Sequence, residues 1–141
     1  MHNTLEQFRE VNCSAMSETA ELDFKCAFDP STDPACWCEI IKDIVAMANT
    51  AGGMIVFGVD DDGQDSPSFV DRITEIDPAI IVDKIFRYTG CQFANFEPVK
   101  VRRPSDEIRP GLVIGPAPYP MVFTLPGDYR FLRVCNRTTR Q

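Results

Sequence analysis

From Ala20 to Cys26 apolar residues (Ala20, Leu22, Phe24, Cys26) alternate with charged ones (Glu21, Asp23, Lys25), the period-two pattern of a half-buried strand with one charged face. Helical spacing then takes over. Asp33-Pro34 is a start signal, Trp37, Ile41, Ile44, Val45 and Ala48 recur on one side, Ile40 and Met47 widen that stripe, and Asn49 to Gly53 stop it. Met54 to Val59 is a continuous apolar run, which predicts a strand covered on both faces. Asp77-Pro78 opens a second helix whose apolar face carries Ile80, Ile81, Ile85 and Tyr88 and which Gly90 closes. Leu5, Phe8 and Val11 predict a further short helix over residues 4–12. Strand-like segments follow Gly90: Phe93 to Arg103, Leu112 to Gly115, Met121 to Thr124 and Tyr129 to Val134, separated by prolines and glycines that favour edges and turns. This order predicts an α+β fold, a mixed, mostly antiparallel sheet with helices packed on one side.

At 141 residues the chain is the size of one domain, residues 1–141, able to bury a core without staples. It has no apolar run approaching a membrane span, and MHNTLEQFREVN lacks the apolar stretch of a signal peptide. A cytoplasmic protein with no membrane partner is therefore expected. Six cysteines (13, 26, 36, 38, 91 and 135) include no CxxC, and the sole histidine is His2, so reduced core cysteines are expected rather than zinc or disulfides.

Charge changes the picture more than size does. The net charge is −7, but residues 1–99 hold six Lys/Arg against eighteen Asp/Glu, whereas residues 100–141 hold eight against three. A basic end on an acidic chain suits a polyanion, because local potential matters more to a phosphate than the global sum. The competing reading is that these cations pair with the acidic half. Among the acids, Glu18 stands five residues before Asp23, so the two point to opposite faces of one strand unless the chain bends near Thr19. Gly58 leaves open space beside Asp60, although Asp60 to Gly63 also reads as a simple turn.

Glu18 and the DFK of residues 23–25, followed by ANTAGG (48–53) and FGVDDDG (57–63), resemble the Schlafen AlbA_2 domain family, also called divergent AAA-4. Asp23 stands where the family usually has Glu. Val99 to Arg103 and the ending YRFLRVCNRTTRQ resemble the family's closing strands, with Cys135 at a position where glycine is usual.

The resemblance implies a nucleic-acid-binding, regulatory domain, usually described as DNA-binding, with DNA and RNA both open as ligands. Its phosphate contacts are expected at Lys25, Lys100, Arg102 and Arg103, with backbone amides of ANTAGG as further donors. Binding of this kind requires no cofactor. The alternative that the resemblance implies is a Schlafen-type RNA endonuclease, in which Glu18, Asp23 and Asp60 are the catalytic and metal-holding acids for Mg²⁺ or Mn²⁺. ATP is implied by family description only, since the chain has no GxxxxGK[ST]. A third reading is an interaction module without a ligand, in which exposed sheet edges form a homodimer.

Overall fold

The computed structural model describes residues 7–13, 18–29, 35–66 and 76–122. Within them the chain runs β1 (Arg9–Asn12), β2 (Leu22–Lys25), α1 (Ala35–Ala48), β3 (Gly53–Phe57), α2 (Pro78–Thr89), β4 (Phe96–Arg102) and β5 (Ile108–Ile114). The strands form one five-stranded sheet in the order β1-β4-β5-β3-β2. Its inner seams, β4–β5 and β5–β3, are antiparallel, and its outer seams, β1–β4 and β3–β2, are parallel. The fold is thus α+β with a mixed sheet.

The parallel β2–β3 pair is joined through α1, and α1 and α2 lie on the same face of the sheet. Ile41, Ile44, Ile81 and Ile85 from the helices share one buried cluster with Ile55, Phe57, Leu112 and Ile114 from the strands. The strand residues between them turn the other way, where Leu22, Phe24, Val56, Val99 and Val101 form a second cluster. Alternation thus gives the sheet two apolar faces. Each of the named aliphatic residues is at most 8% exposed.

Local chemistry sets the helix ends. The Asp77 carboxylate accepts the Ala79 amide at 2.9 Å, Pro78 occupies the first turn, and Gly90 (φ 74°) returns its amide to the Phe86 carbonyl. At the end of α1, the Asn49 amide bonds the Val45 carbonyl, and those of Thr50 and Gly52 bond the Met47 carbonyl. Gly52 sits at φ 88° with the Ile114 carbonyl where a Cβ would lie, so the reversal into β3 requires glycine.

Residues 9–12 are a strand, not part of the short helix expected over 4–12. They pair in parallel with Val99–Arg102. A single helical turn is poorly stable alone, and the free edge of β4 offers these residues backbone partners that the local periodicity does not reveal. Residues 1–6 lie outside the described residues, as does the strand expected over Tyr129–Val134; of the one expected over Met121–Thr124, only Met121 and Val122 are described, and they are not strand.

Candidate functional site

Glu18 and Asp23 do meet. The chain reverses between Thr19 and Leu22, with mutual backbone hydrogen bonds of 3.0 and 3.3 Å, and the Thr19 hydroxyl accepts the Glu21 amide. This bend brings Glu18 back along β2, where its Oε2 accepts the Phe24 amide at 2.8 Å. The hydrogen bond between the Glu18 and Asp23 carboxyls is the main cause of a raised Glu18 pKa, with the Phe24 amide opposing it. Burial alone would raise Asp23, but its bonds to Glu18 and Lys25 outweigh burial and leave it lowered. The two carboxyls titrate as a pair, Glu18 shifted up and Asp23 down.

Asp23 and Lys25 are both on the helix-facing side of β2, where α1 adds an acid that motif reading passed over. Lys25 Nζ lies 3.0 Å from Asp23 Oδ2 and 2.5 Å from Asp43 Oδ2. Burial, together with neighbouring Asp23, raises Asp43 against the pull of Lys25, and burial's opposite pull on Lys25 is outweighed by the two carboxylates. A triad of two acids and one ammonium results, each side chain between 24% and 31% exposed. Lys25 is thereby committed within the protein rather than presented to a phosphate. The helical spacing of Asp43 among Ile40, Ile41 and Ile44 was the available signal, since a carboxylate flanking an apolar stripe needs a partner.

Asp60 goes elsewhere. Its Oδ1 accepts the Cys26 thiol at 3.4 Å, and its backbone exchanges hydrogen bonds with Gly63 and Gln64 in a tight turn. The charge of Asp61 also contributes to the raised pKa of Glu18, after the Asp23 hydrogen bond. Among the described residues no group of three or more His, Cys, Asp or Glu is arranged to hold a metal ion. Glu18, Asp23 and Asp60 thus do not form the expected three-acid centre for Mg²⁺ or Mn²⁺. The physical reason is that Lys25 already pairs with Asp23 and Asp43, while the turn directs Asp60 toward Cys26. The donor set does not fit the metal.

The basic residues divide sharply. Arg103 is buried, its side chain 1% exposed: Nε bonds Asp65 at 3.0 Å, the other nitrogens bond the Cys13 and Gly63 carbonyls, and the guanidinium lies over the Phe24 ring. The expectation that it meets a phosphate is corrected, because its donors fasten the 60–66 turn to the end of β4. Arg109, buried in β5, holds the same turn through the Gly58 and Ser66 carbonyls. A charge inside the run IRPGLVI was the sequence signal for it. The ANTAGG amides are corrected likewise, since those of Asn49, Thr50 and Gly52 are spent on the end of α1.

Lys100 and Arg102 lie two residues apart on β4, on one side of the strand. Arg102 bonds Glu10 at 2.7 Å and Asp106 at 3.1 Å, pairs that hold its pKa up, and its side chain is 39% exposed. Arg130, Arg133, Arg137 and Arg140 lie outside the described residues. Of the basic C-terminal end, then, two described cations are structural and two reach the surface.

Three comparisons bear on kinship. No curated protein matches the chain. Among solved structures, the crystal structure of the DIP2311 protein from Corynebacterium diphtheriae is similar, with 21% sequence identity and a TM-score of 0.49 over 75% of this chain. This chain spans 20% of that one. A family model described as Schlafen, AlbA_2 matches residues 18–103, a range that contains the Glu18 bend, the α1 crossover and the Gly52 reversal. The chain belongs to the Schlafen AlbA_2 family.

Proposed function

We propose that this domain is a nucleic-acid-binding module with a regulatory rather than a catalytic role, and that Lys100 and Arg102 on β4 are its phosphate contacts. The observation that carries this reading is the placement of these two cations side by side on the sheet surface, with Arg102 in exposed ion pairs. Such pairs are weak and exchangeable, so a phosphate can replace Glu10 or Asp106 at little cost. Family membership supports the ligand class. Two contacts give modest affinity and little sequence discrimination, since phosphates position a protein without reading bases.

The test is a fluorescence-anisotropy titration of labelled single-stranded RNA and duplex DNA, with Mn²⁺ or EDTA, followed by denaturing gels of the same samples. Intact nucleic acid and affinity that falls with salt are expected. Lys100→Ala with Arg102→Ala should flatten the salt dependence on duplex DNA by up to about 1.8 log units per log unit of salt. Mn²⁺-dependent fragments that disappear in Glu18→Gln would replace this reading with a nuclease. Absence of salt-sensitive binding at micromolar protein would leave an interaction module.

A further inference from the structure

We propose that Glu18 and Thr19 form a latch over the outer edge of β2, and that the edge they cover pairs with β2 of a second copy of this chain when the latch is opened. Among the described strands β2 ends the sheet, and an edge strand presents a row of backbone donors and acceptors to any extended chain. Its bonds to β3 show which residues form that row. The Glu21 and Lys25 carbonyls accept the amides of Met54 and Gly58, so the odd residues turn their backbone toward β3. The even ones, Leu22 and Phe24, turn theirs outward.

Both outward positions are taken up from within the chain. Thr19 and Leu22 exchange backbone bonds of 3.0 and 3.3 Å. The Phe24 amide donates to Glu18 Oε2 at 2.8 Å, a charge-assisted bond made by an exposed residue at the middle of the edge. An amide has one proton to donate, so Phe24 is either latched or paired with another strand.

The covered segment is self-complementary. Antiparallel pairing about a two-fold axis at Phe24 sets that residue opposite its own copy as a hydrogen-bonded pair, using the amide and carbonyl that point outward. Asp23 then lies opposite Lys25 of the second copy, and Lys25 opposite its Asp23, two pairs of opposite charge on the helix-facing side. An axis at Leu22, Asp23 or Lys25 instead sets like charges opposite one another, so charge selects Phe24 as the centre. An edge matched to itself in this way is prone to association, and a carboxylate at its centre with a chain reversal at its start blocks it. β3 and β5 separate β2 from β4, so the latch is distinct from the Lys100–Arg102 strip and does not depend on nucleic-acid binding.

The experiment combines sedimentation velocity with amide hydrogen exchange on the full chain. Glu18→Ala with Thr19→Pro removes the carboxylate and the Thr19 amide, and this double variant should pass from monomer to dimer as concentration rises. Glu18→Gln, which keeps an acceptor oxygen, should sediment as wild type does. In dilute double variant the Phe24 amide should exchange at least about tenfold faster than in wild type, and it should regain protection on association. A dimer of mixed isotope labelling should show contact between the α protons of Asp23 and Lys25 from different copies. Glu18→Ala alone, which keeps the Thr19 bridge, should speed Phe24 exchange without association. A folded double variant that stays monomeric, a dimer lacking the Asp23–Lys25 contact, Glu18→Gln associating as strongly as the double variant, or an unchanged Phe24 exchange rate in Glu18→Ala would each overturn the proposal.

Discussion

Arg102 and Arg103 are sequence neighbours with opposite surroundings, so replacing each with alanine separates burial from charge. Arg103→Ala removes an ion pair to Asp65, donors to the Cys13 and Gly63 carbonyls, and a cation over the Phe24 ring. Breaking a buried ion pair by deleting one partner costs about 3–5 kcal/mol. Asp65 keeps the Ser105 hydroxyl and is 18% exposed in its side chain, which places the cost near the lower limit, about 3 kcal/mol. With a urea dependence of about 2 kcal/mol per molar, the unfolding midpoint should fall by roughly 1.5 M. Arg102→Ala breaks only exposed pairs, and its midpoint should stay at the wild-type value. Arg103→Lys keeps the charge but loses the planar fork and should lie between.

Acid adds a second reading of the same variant. Burial would raise the Asp65 pKa, but the Ser105 hydroxyl and Arg103 outweigh it and leave it lowered. A lowered folded-state pKa stabilises the protein above the ordinary aspartate range, and that stability is lost as pH falls through the folded value. The gap between wild type and Arg103→Ala should therefore narrow in acid. A midpoint shift no larger than that of Arg102→Ala would refute the assignment of Arg103 as an internal fastener.

Three other outcomes are expected. Lys25→Met should destabilise the protein by about 2 kcal/mol near neutral pH; without the ammonium both acids bind protons more readily, so urea midpoints should converge with wild type as pH falls, and a pH-independent loss would contradict the triad. The Glu18 carboxyl carbon should titrate above the ordinary glutamate range, and Asp23→Asn, which removes the neighbouring charge, should return it downward; an unmoved midpoint would show that the two carboxyls do not share a proton. Asn49 donates to the Met121 carbonyl at 2.7 Å and accepts its amide at 2.8 Å, so Asn49→Ala should cost about 1–2 kcal/mol and speed hydrogen exchange at the Met121 amide.

Features that depend on near neighbours were legible in the chain itself. The spacing of Ile81 and Ile85, the Asp77 cap and the Gly90 stop delimit α2, and alternation through Leu22 and Phe24 marks β2, because periodicity and caps express backbone geometry over a few residues. The family motif was legible for the same reason, being a local string of glycines and acids. Partners distant in sequence were not. Whether residues 9–12 form a helix or an edge strand depended on β4, some ninety residues away. Glu18 met Asp23 only because the Thr19–Leu22 reversal cancelled their unfavourable spacing, and Lys25 was taken up by Asp43 from a helix that the strand pattern does not mention. Arg102 and Arg103 look alike as charges in a row, yet strand alternation sends one to solvent and the other into the Asp65 turn. Composition counts ionised groups, but only tertiary packing decides which of them still face water, because desolvation and pairing are properties of the neighbours brought together by the fold.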